Sequence, residues 1–232
     1  MTMKKALKTI DRGSVIDYAG QKWVVLEHDP AGRVLCLAAG IIEDMAFDEG
    51  NSNNFAKASS NRYLNGPFLD NLIDAAGTSS AFLKTELDLT ADDGLKDYGT
   101  CPVTIFLLTV DLYRRNRDVI PVVDGWWWLA TAVSTEANGY PSLARLVSAD
   151  GALDWSLAYL GRRGLRPACY LDSDLLISVE EDDVTAVQAG DIVRELVESF
   201  GGSYATEEQL KAAVAFMLGT LRAAREKEAQ HE

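Results

Sequence analysis

Residues 125–130 read GWWWLA, and this stretch holds three of the five tryptophans in the 232-residue chain. Because side chains alternate between the two faces of a strand, Trp126 and Trp128 would share one face and Trp127 would lie on the other. Burial of one such ring contributes roughly 3–5 kcal/mol, on the scale of aromatic-to-alanine losses. The stretch therefore predicts a strand that is packed on both sides, with at least two of its three rings in the core.

The sequence before the tryptophans predicts strands and helices that do not alternate regularly. Residues 14–40 predict a β-hairpin that turns at DPAG, and the polar, Asn- and Ser-rich residues 43–62 predict a long surface loop. A helix is expected over 67–76, ended by Gly77. Further predictions are strands at 85–90 and 102–109 and a short helix at 110–116 capped by Thr109. This irregular order favours the α+β class.

A different pattern follows this mixed region. Apolar residues recur at helical spacing within 191–200 and 206–224, and the second of these segments begins with a capping-box sequence, TEEQ. The sequence thus predicts three parts: an N-terminal tail at 1–12, one α+β domain at 13–178, and a helical C-terminal extension at 179–232.

The composition limits the classes of partner. The formal net charge of −13 disfavours binding to nucleic acid and to anionic membranes, which need clustered Lys and Arg. No apolar run reaches the roughly 18–20 residues of a membrane helix, and the first residues, MTMKKALKTIDRG, lack the apolar segment of a signal peptide. We expect no nucleic-acid partner, no membrane insertion, and synthesis in the cytoplasm without a signal peptide.

Few residues offer catalytic or metal chemistry. The two histidines are His28, beside a turn, and His231, in the C-terminal tail, so neither is a good catalytic base. The three cysteines are odd in number and form no CxxC motif, which argues against a disulfide framework or a zinc site. We therefore expect no enzyme, no cofactor and no metal. A carboxylate-based hydrolase is the lowest-ranked alternative, with candidate residues Asp111, Asp124, Asp150 and Asp154.

Several motifs, taken in order, resemble one protein family over residues 13–178. The segments are SSNRYLNGPFLDNL (59–72), TIFLLTVDLY (104–113), WWWLATA (126–132), LVSADGAL (146–153) and GRRGLRPACYLDSDLLIS (161–178). They resemble bacterial and phage C-type-lectin-like domains, a group of unknown function that is common in Firmicutes and their prophages. The resemblance implies a C-type-lectin-like fold with a small, twisted antiparallel sheet in which WWL is a central strand.

The resemblance also has consequences for single residues. It implies that Arg166, in the closing G-x-R-P-A motif, is a structural hydrogen-bond donor rather than a ligand contact. Ala130 replaces the arginine that usually follows WWL in the family. The calcium and sugar motifs of animal C-type lectins are absent from the chain, so calcium-dependent sugar binding is not implied.

The stretch before the closing motif is the predicted ligand-binding site. Some relatives with this fold are targets of diversity-generating retroelements, which vary that stretch, and here it reads ADGALDWSLAYLGRRGLRPA (149–168). Strand alternation places Trp155 and Tyr159 on one face, where they either pack in the core or form an exposed patch. We predict that both are partly exposed and lie close to Arg162, as in a binding hot spot. The candidate ligand-binding residues are Asp154, Trp155, Ser156, Leu157, Tyr159, Leu160, Arg162 and Arg163.

Two functional hypotheses remain ahead of the enzyme. The first is a non-enzymatic binding module that displays a variable surface to a protein or cell-surface ligand. The second is a phage or host assembly protein that forms homo-oligomers through its C-terminal helices, with association with a virion as one setting.

Overall fold

Mostly β structure makes up the part of the chain that the computed structural model describes, residues 2–180. Strands account for 37% and helices for 19%, and the compact unit runs from Lys4 to Ser178. The predicted α+β class with one small sheet is therefore wrong, because the short β-like segments join into several sheets and the helices stay short. The helical extension was predicted for residues 179–232. Residues 179 and 180 belong to a strand, and residues 181–232 lie outside the described part of the chain.

The strands are short and numerous. In chain order they are β1 (Thr2–Ala6), β2 (Val15–Tyr18), β3 (Gln21–Asp29), β4 (Arg33–Ala38), β5 (Glu43–Asp44), β6 (Phe82–Leu83), β7 (Thr85–Asp88), β8 (Thr100–Val103), β9 (Ile105–Leu107), β10 (Trp127–Ala132), β11 (Leu143–Val147), β12 (Leu153–Leu157), β13 (Gly164–Leu165), β14 (Pro167–Asp172) and β15 (Leu176–Glu180).

Helices connect the strands. They are α1 (Ser59–Tyr63), α2 (Leu69–Ala76) and α3 (Val110–Arg115), with 3-10 turns at Leu7–Thr9, Phe55–Lys57 and Glu136–Asn138 and a π-type turn at Leu64–Phe68. Two predicted helix ends are confirmed. Gly77 ends α2 in the left-handed conformation with φ 68°, and the Thr109 hydroxyl accepts a hydrogen bond from the Leu112 N–H at the start of α3.

The six-stranded sheet confirms the predicted hairpin and extends it. Its order is β2-β3-β4-β14-β6, and β9 also pairs with β14. The turn between β3 and β4 is closed by a 3.0 Å hydrogen bond from the Gly32 N–H to the Asp29 carbonyl. Strand β14 lies antiparallel to β4, with Cys169 opposite Cys36. Two smaller sheets pair β1 with β15 and β7 with β8. The compact unit begins at Lys4.

The five-stranded sheet contains the tryptophan strand. Its order is β12-β11-β10-β13-β5, so β10 lies at the centre while β12 and β5 lie at the two edges. Strand β10 runs parallel to β13 and antiparallel to β11, which makes the sheet mixed rather than antiparallel. Every side chain of β10 is buried. Trp127 packs edge-on against Tyr113, and Trp128 packs edge-on against Phe47, which confirms two core rings on opposite faces.

The segment 43–62 is not the surface loop that its composition predicted. Phe47 and Phe55 are fully buried beneath the five-stranded sheet, and the polar residues Asn53 and Ser59, whose side chains form hydrogen bonds, are buried with them. Buried polar groups are stable when hydrogen bonds replace their lost contacts with water. The prediction failed because asparagines and serines that serve as buried hydrogen-bonding groups have the same composition as a solvated loop.

Candidate functional site

The edge strand β12 and the turn that follows it display two large aromatic side chains. Trp155 is 51% exposed and Tyr159 is 50% exposed, whereas Ser156 and Ala158 between them are buried. The predicted exposure of both aromatic residues is therefore confirmed. Because Ser156 and Ala158 are buried in the core, the backbone that carries the two exposed rings is held in place.

The outer edge of β12 is partly closed by its own chain. Hydrogen bonds from the Ser148 N–H to the Ala152 carbonyl (2.9 Å) and from the Ala158 N–H to the Ser142 carbonyl (2.8 Å) place the even-numbered backbone groups of β12 toward β11. The odd-numbered groups therefore point away from the sheet. Two of these outward groups form hydrogen bonds within their own segment. The Trp155 N–H donates to Asp154 Oδ1 at 2.8 Å, and the Leu157 carbonyl accepts from the Leu160 N–H at 3.1 Å.

A charged network supports Trp155 from the neighbouring strand. Arg145 of β11 is its direct cross-strand partner, so both side chains lie on the same face of the sheet. The Arg145 guanidinium contacts Asp92 at 2.6 Å, and Arg114 approaches the same carboxylate at 3.4 Å. Asp92 has a side chain only 14% exposed, and this shields the network from solvent more than a surface ion pair.

The two predicted arginines lie elsewhere. Hydrogen bonds from the Asp48 N–H to the Ala158 carbonyl and from the Met45 N–H to the Arg163 carbonyl, both 3.0 Å, place the segment 158–163 alongside the residues that follow β5. The Arg163 guanidinium lies 4.9 Å from the centre of the Trp126 ring. Trp155 therefore lies at the β12 edge and the two arginines lie near the β5 edge, with Tyr159 in the segment that runs between them.

The remaining predicted residues are less accessible. Ser156 is buried at 6% exposure, so it supports the strand rather than contacting a ligand. Three others are half-buried, namely Asp154, Leu157 and Leu160. We use the name aromatic edge for Trp155 and Tyr159 together with the half-buried Leu157 between them.

Arg166 has the structural role that the sequence resemblance implied. Its side chain is fully buried, and it donates to the backbone carbonyls of Ala38 (2.9 Å), Pro121 (3.0 Å) and Ala39 (3.2 Å). Its guanidinium lies 5.1 Å from the centre of the Trp127 ring. Burial lowers the pKa of Arg166 to about 10, so it stays charged at neutral pH.

Asn53 is a central buried residue that the sequence reasoning missed. Its Nδ2 lies 2.7–2.9 Å from three backbone carbonyls, those of Ser134, Tyr140 and Leu143. The Tyr98 hydroxyl donates to its Oδ1 at 2.7 Å. An amide group has two N–H donors, so one carbonyl is served by a shared bond. No local signal in SNN distinguishes this asparagine from its neighbours.

The four candidate catalytic carboxylates occupy four different elements. Asp111 is in α3, Asp124 precedes β10, Asp150 is in the turn before β12, and Asp154 is in β12. The Ser148 hydroxyl and the Ala152 N–H hold the pKa of Asp150 below its usual value. A general acid needs the opposite shift, so Asp150 does not suit that role at neutral pH.

Among residues 2–180, no group of three or more His, Cys, Asp or Glu side chains is arranged to hold a metal ion. Burial raises the pKa values of the Cys36 and Cys169 thiols, which keeps both protonated. None of the described helices is long and apolar enough to cross a membrane.

Comparison with known proteins gives one match. Residues 84–173 match the family model described as "Domain of unknown function (DUF6273)". The matched part runs from β7 through β14 and includes both β10 and the aromatic edge. No curated protein and no solved structure matches the chain.

Proposed function

We propose that the protein is a non-enzymatic binding module that recognises a protein ligand, free or on a cell surface, through the aromatic edge. The observation that carries this proposal is the half-exposure of Trp155 in β12 and of Tyr159 in the turn after it, with Ser156 and Ala158 buried between them. Large aromatic side chains that stay exposed on a rigid support are typical of binding hot spots, because they bury a large apolar area at little cost in conformational entropy.

The backbone geometry favours binding through side chains rather than through strand addition. Addition of a ligand strand to β12 would need the outward N–H and carbonyl groups of the edge. Asp154 already accepts the hydrogen bond of the Trp155 N–H, and the Leu160 N–H already donates to the Leu157 carbonyl. A ligand is therefore expected to cover the two rings from the solvent side.

The hypothesis that the residues of the aromatic edge vary between related proteins is compatible with this proposal. The hypothesis of a variable surface concerns residues whose replacement leaves the fold intact, and exposed positions meet that requirement better than buried ones. Trp155 and Tyr159 meet it, whereas Ser156 and Ala158 do not. Sequencing many closely related copies of the gene would test this pattern, since variation at Ser156 equal to that at Trp155 would contradict it.

A direct test compares three forms of the full chain as immobilised baits. The double variant Trp155→Ala/Tyr159→Ala removes both rings, and Tyr140→Ala removes a tyrosine of similar exposure, 51%, from another loop as the control. Proteins retained by the wild type and the control but not by the double variant would then be purified and titrated directly. Loss of two hot-spot rings should weaken binding at least about tenfold, and equal affinities of all three forms would reject the proposal.

A further inference from the structure

A second surface lies at the opposite edge of the five-stranded sheet. A cleft of about 440 Å³ opens there between β5 and the residues just before β10. This volume lies within the range of about 300–1,000 Å³ that is usual for small-molecule sites. Three carboxylates line the cleft, those of Glu43, Asp44 and Asp124, and Trp126 forms an aromatic wall.

The aromatic wall of the cleft already contacts one cation. Trp126 is 37% exposed, in contrast to the two buried tryptophans that follow it, and the Arg163 guanidinium lies 4.9 Å from the centre of its ring. The negative face of an indole attracts cations. The Trp126 ring therefore already binds one cationic side chain, and its exposed part remains accessible to a ligand.

Close backbone packing fixes the floor of the cleft. A Cβ atom at Gly164 would lie 2.5 Å from Cγ2 of Ile41, and one at Gly125 would lie 2.7 Å from the Cδ1 end of the same side chain, so Ile41 would have to move to admit a side chain at either position. Gly125 also has φ +140°, which side-chain-bearing residues rarely adopt. The Gly164 N–H donates to the Trp126 carbonyl at 2.6 Å. Ile41 is thus held between two glycines, and the aromatic wall is positioned before any ligand arrives.

The charge of the lining selects the ligand. Three carboxylates stand against two guanidinium groups, that of Arg162 in the lining and that of Arg163 on Trp126, so the cleft keeps a small excess of negative charge on a chain that is itself strongly acidic. The neighbouring Glu43 carboxylate raises the pKa of Tyr63 to about 12. A cation gains from this field, whereas an anion is repelled.

We propose that this cleft binds an alkylammonium group, as carried by a lysine side chain or a free diamine. The methylene chain lies against Trp126, Ile41 and Ile42, and the ammonium group donates hydrogen bonds to the carboxylates. This combination of an apolar stem and a compact charge matches a lining that is aliphatic and aromatic below and acidic at the rim. The site is separate from the aromatic edge, so its failure would leave the proposed function untouched.

The test is a calorimetric titration of the full chain with three small probes. 1,5-Diaminopentane and N-acetyl-lysine amide both carry the ammonium group, and 1-pentanol supplies the same chain without charge. We expect Kd values on the order of 0.1–1 mM for the two cations and no measurable binding of the alcohol. The tighter of the two cations identifies the source of the ligand as a free amine or a protein side chain.

Two variants and two matched controls locate the binding. Trp126→Ala and Asp124→Asn should each weaken cation binding about fivefold or more, since they remove an aromatic contact and a charge. Tyr140→Ala, an exposed aromatic residue outside both surfaces, and Asp70→Asn, an exposed carboxylate of α2, should change it less than about twofold. Circular dichroism checks the fold of each variant, and Asp124→Asn keeps the test informative if Trp126→Ala misfolds. Absence of binding at about 10 mM cation, equal binding of the alcohol, or variants that bind like the wild type would overturn the proposal.

Discussion

Strands β10 and β12 belong to the same sheet, and each contains tryptophan, yet the tryptophans have opposite environments. Trp128 in the central strand is fully buried, whereas Trp155 in the edge strand is 51% exposed. Strand β10 has a neighbour on each side, β11 and β13, while β12 pairs only with β11. The position of a strand within its sheet, rather than the residue type, therefore decides whether a tryptophan is buried in the core or exposed to solvent.

The largest expected effect is in the central strand. Trp128→Ala removes a ring that packs against Phe47 and donates from Nε1 to the Met45 carbonyl at 3.0 Å. We expect a loss of about 3–5 kcal/mol in the free energy of unfolding, because the residual cavity cannot fill. Urea denaturation followed by far-UV circular dichroism would measure it. Trp155→Ala should cost less than about 1 kcal/mol, and similar losses for both variants would break the comparison.

The second effect concerns the buried arginine behind the central strand. Arg166→Met keeps the apolar stem but removes the donors to three backbone carbonyls. Unsatisfied buried acceptors cost about 1–3 kcal/mol each, and partial access of water reduces the sum, so we expect a total loss of about 2–4 kcal/mol. The control is Arg162→Met at an exposed site, which should change the unfolding free energy by less than about 0.5 kcal/mol. A stable Arg166→Met variant would show that these hydrogen bonds are replaceable.

Local signals explain which parts of the fold could be predicted from the sequence. The turn at Asp29–Gly32, the end of α2 at Gly77 and the cap of α3 at Thr109 are each encoded within a few residues. Their predictions are confirmed because the same hydrogen bond or backbone angle forms whatever surrounds it. The burial of Trp127 and Trp128 was predictable for a related reason, since adjacent large rings require two packed faces.

Long-range pairing explains which parts could not be predicted. Strand β14 pairs with β4, which brings Cys169 opposite Cys36 across more than a hundred residues, and no local pattern specifies that partner. The predicted fold class was wrong for this reason, because the sequence indicates the short strands but not which of them pair to form each sheet. At the candidate site, the exposure of Trp155 was predicted, but the separation of Arg162 from it depends on how the chain crosses toward β5.

The third prediction tests the buried asparagine that the sequence did not reveal. Asn53→Ala should lower the free energy of unfolding by about 1–3 kcal/mol, because three carbonyls and the Tyr98 hydroxyl lose their partner. The exposed Asn71→Ala in α2 is the control and should be neutral or slightly stabilising, since alanine favours helix. Thermal and urea denaturation should agree. Equal stability of the two variants would mean that residues 43–62 are a surface loop in solution.

The smallest effect is expected at the edge strand, where it concerns association rather than stability. Asp154→Ala removes the acceptor of the Trp155 N–H and leaves that donor free on an exposed strand. Free donors at sheet edges promote pairing with another chain, and side chains that cover them prevent it. We expect less than about 0.5 kcal/mol change in the unfolding free energy, together with weak self-association in sedimentation velocity at high protein concentration.

Asp154→Asn separates the hydrogen bond from the charge in this experiment. The amide oxygen of asparagine can still accept from the Trp155 N–H, whereas the negative charge that repels a second acidic chain is gone. If the hydrogen bond protects the edge, only Asp154→Ala should associate beyond the wild type. If charge repulsion protects it, both variants should associate, and the association of the wild type should rise with salt. Wild-type behaviour in both variants would mean that Asp154 does not prevent pairing at this edge. A ligand could then extend the sheet through the backbone of β12 instead of covering the two rings.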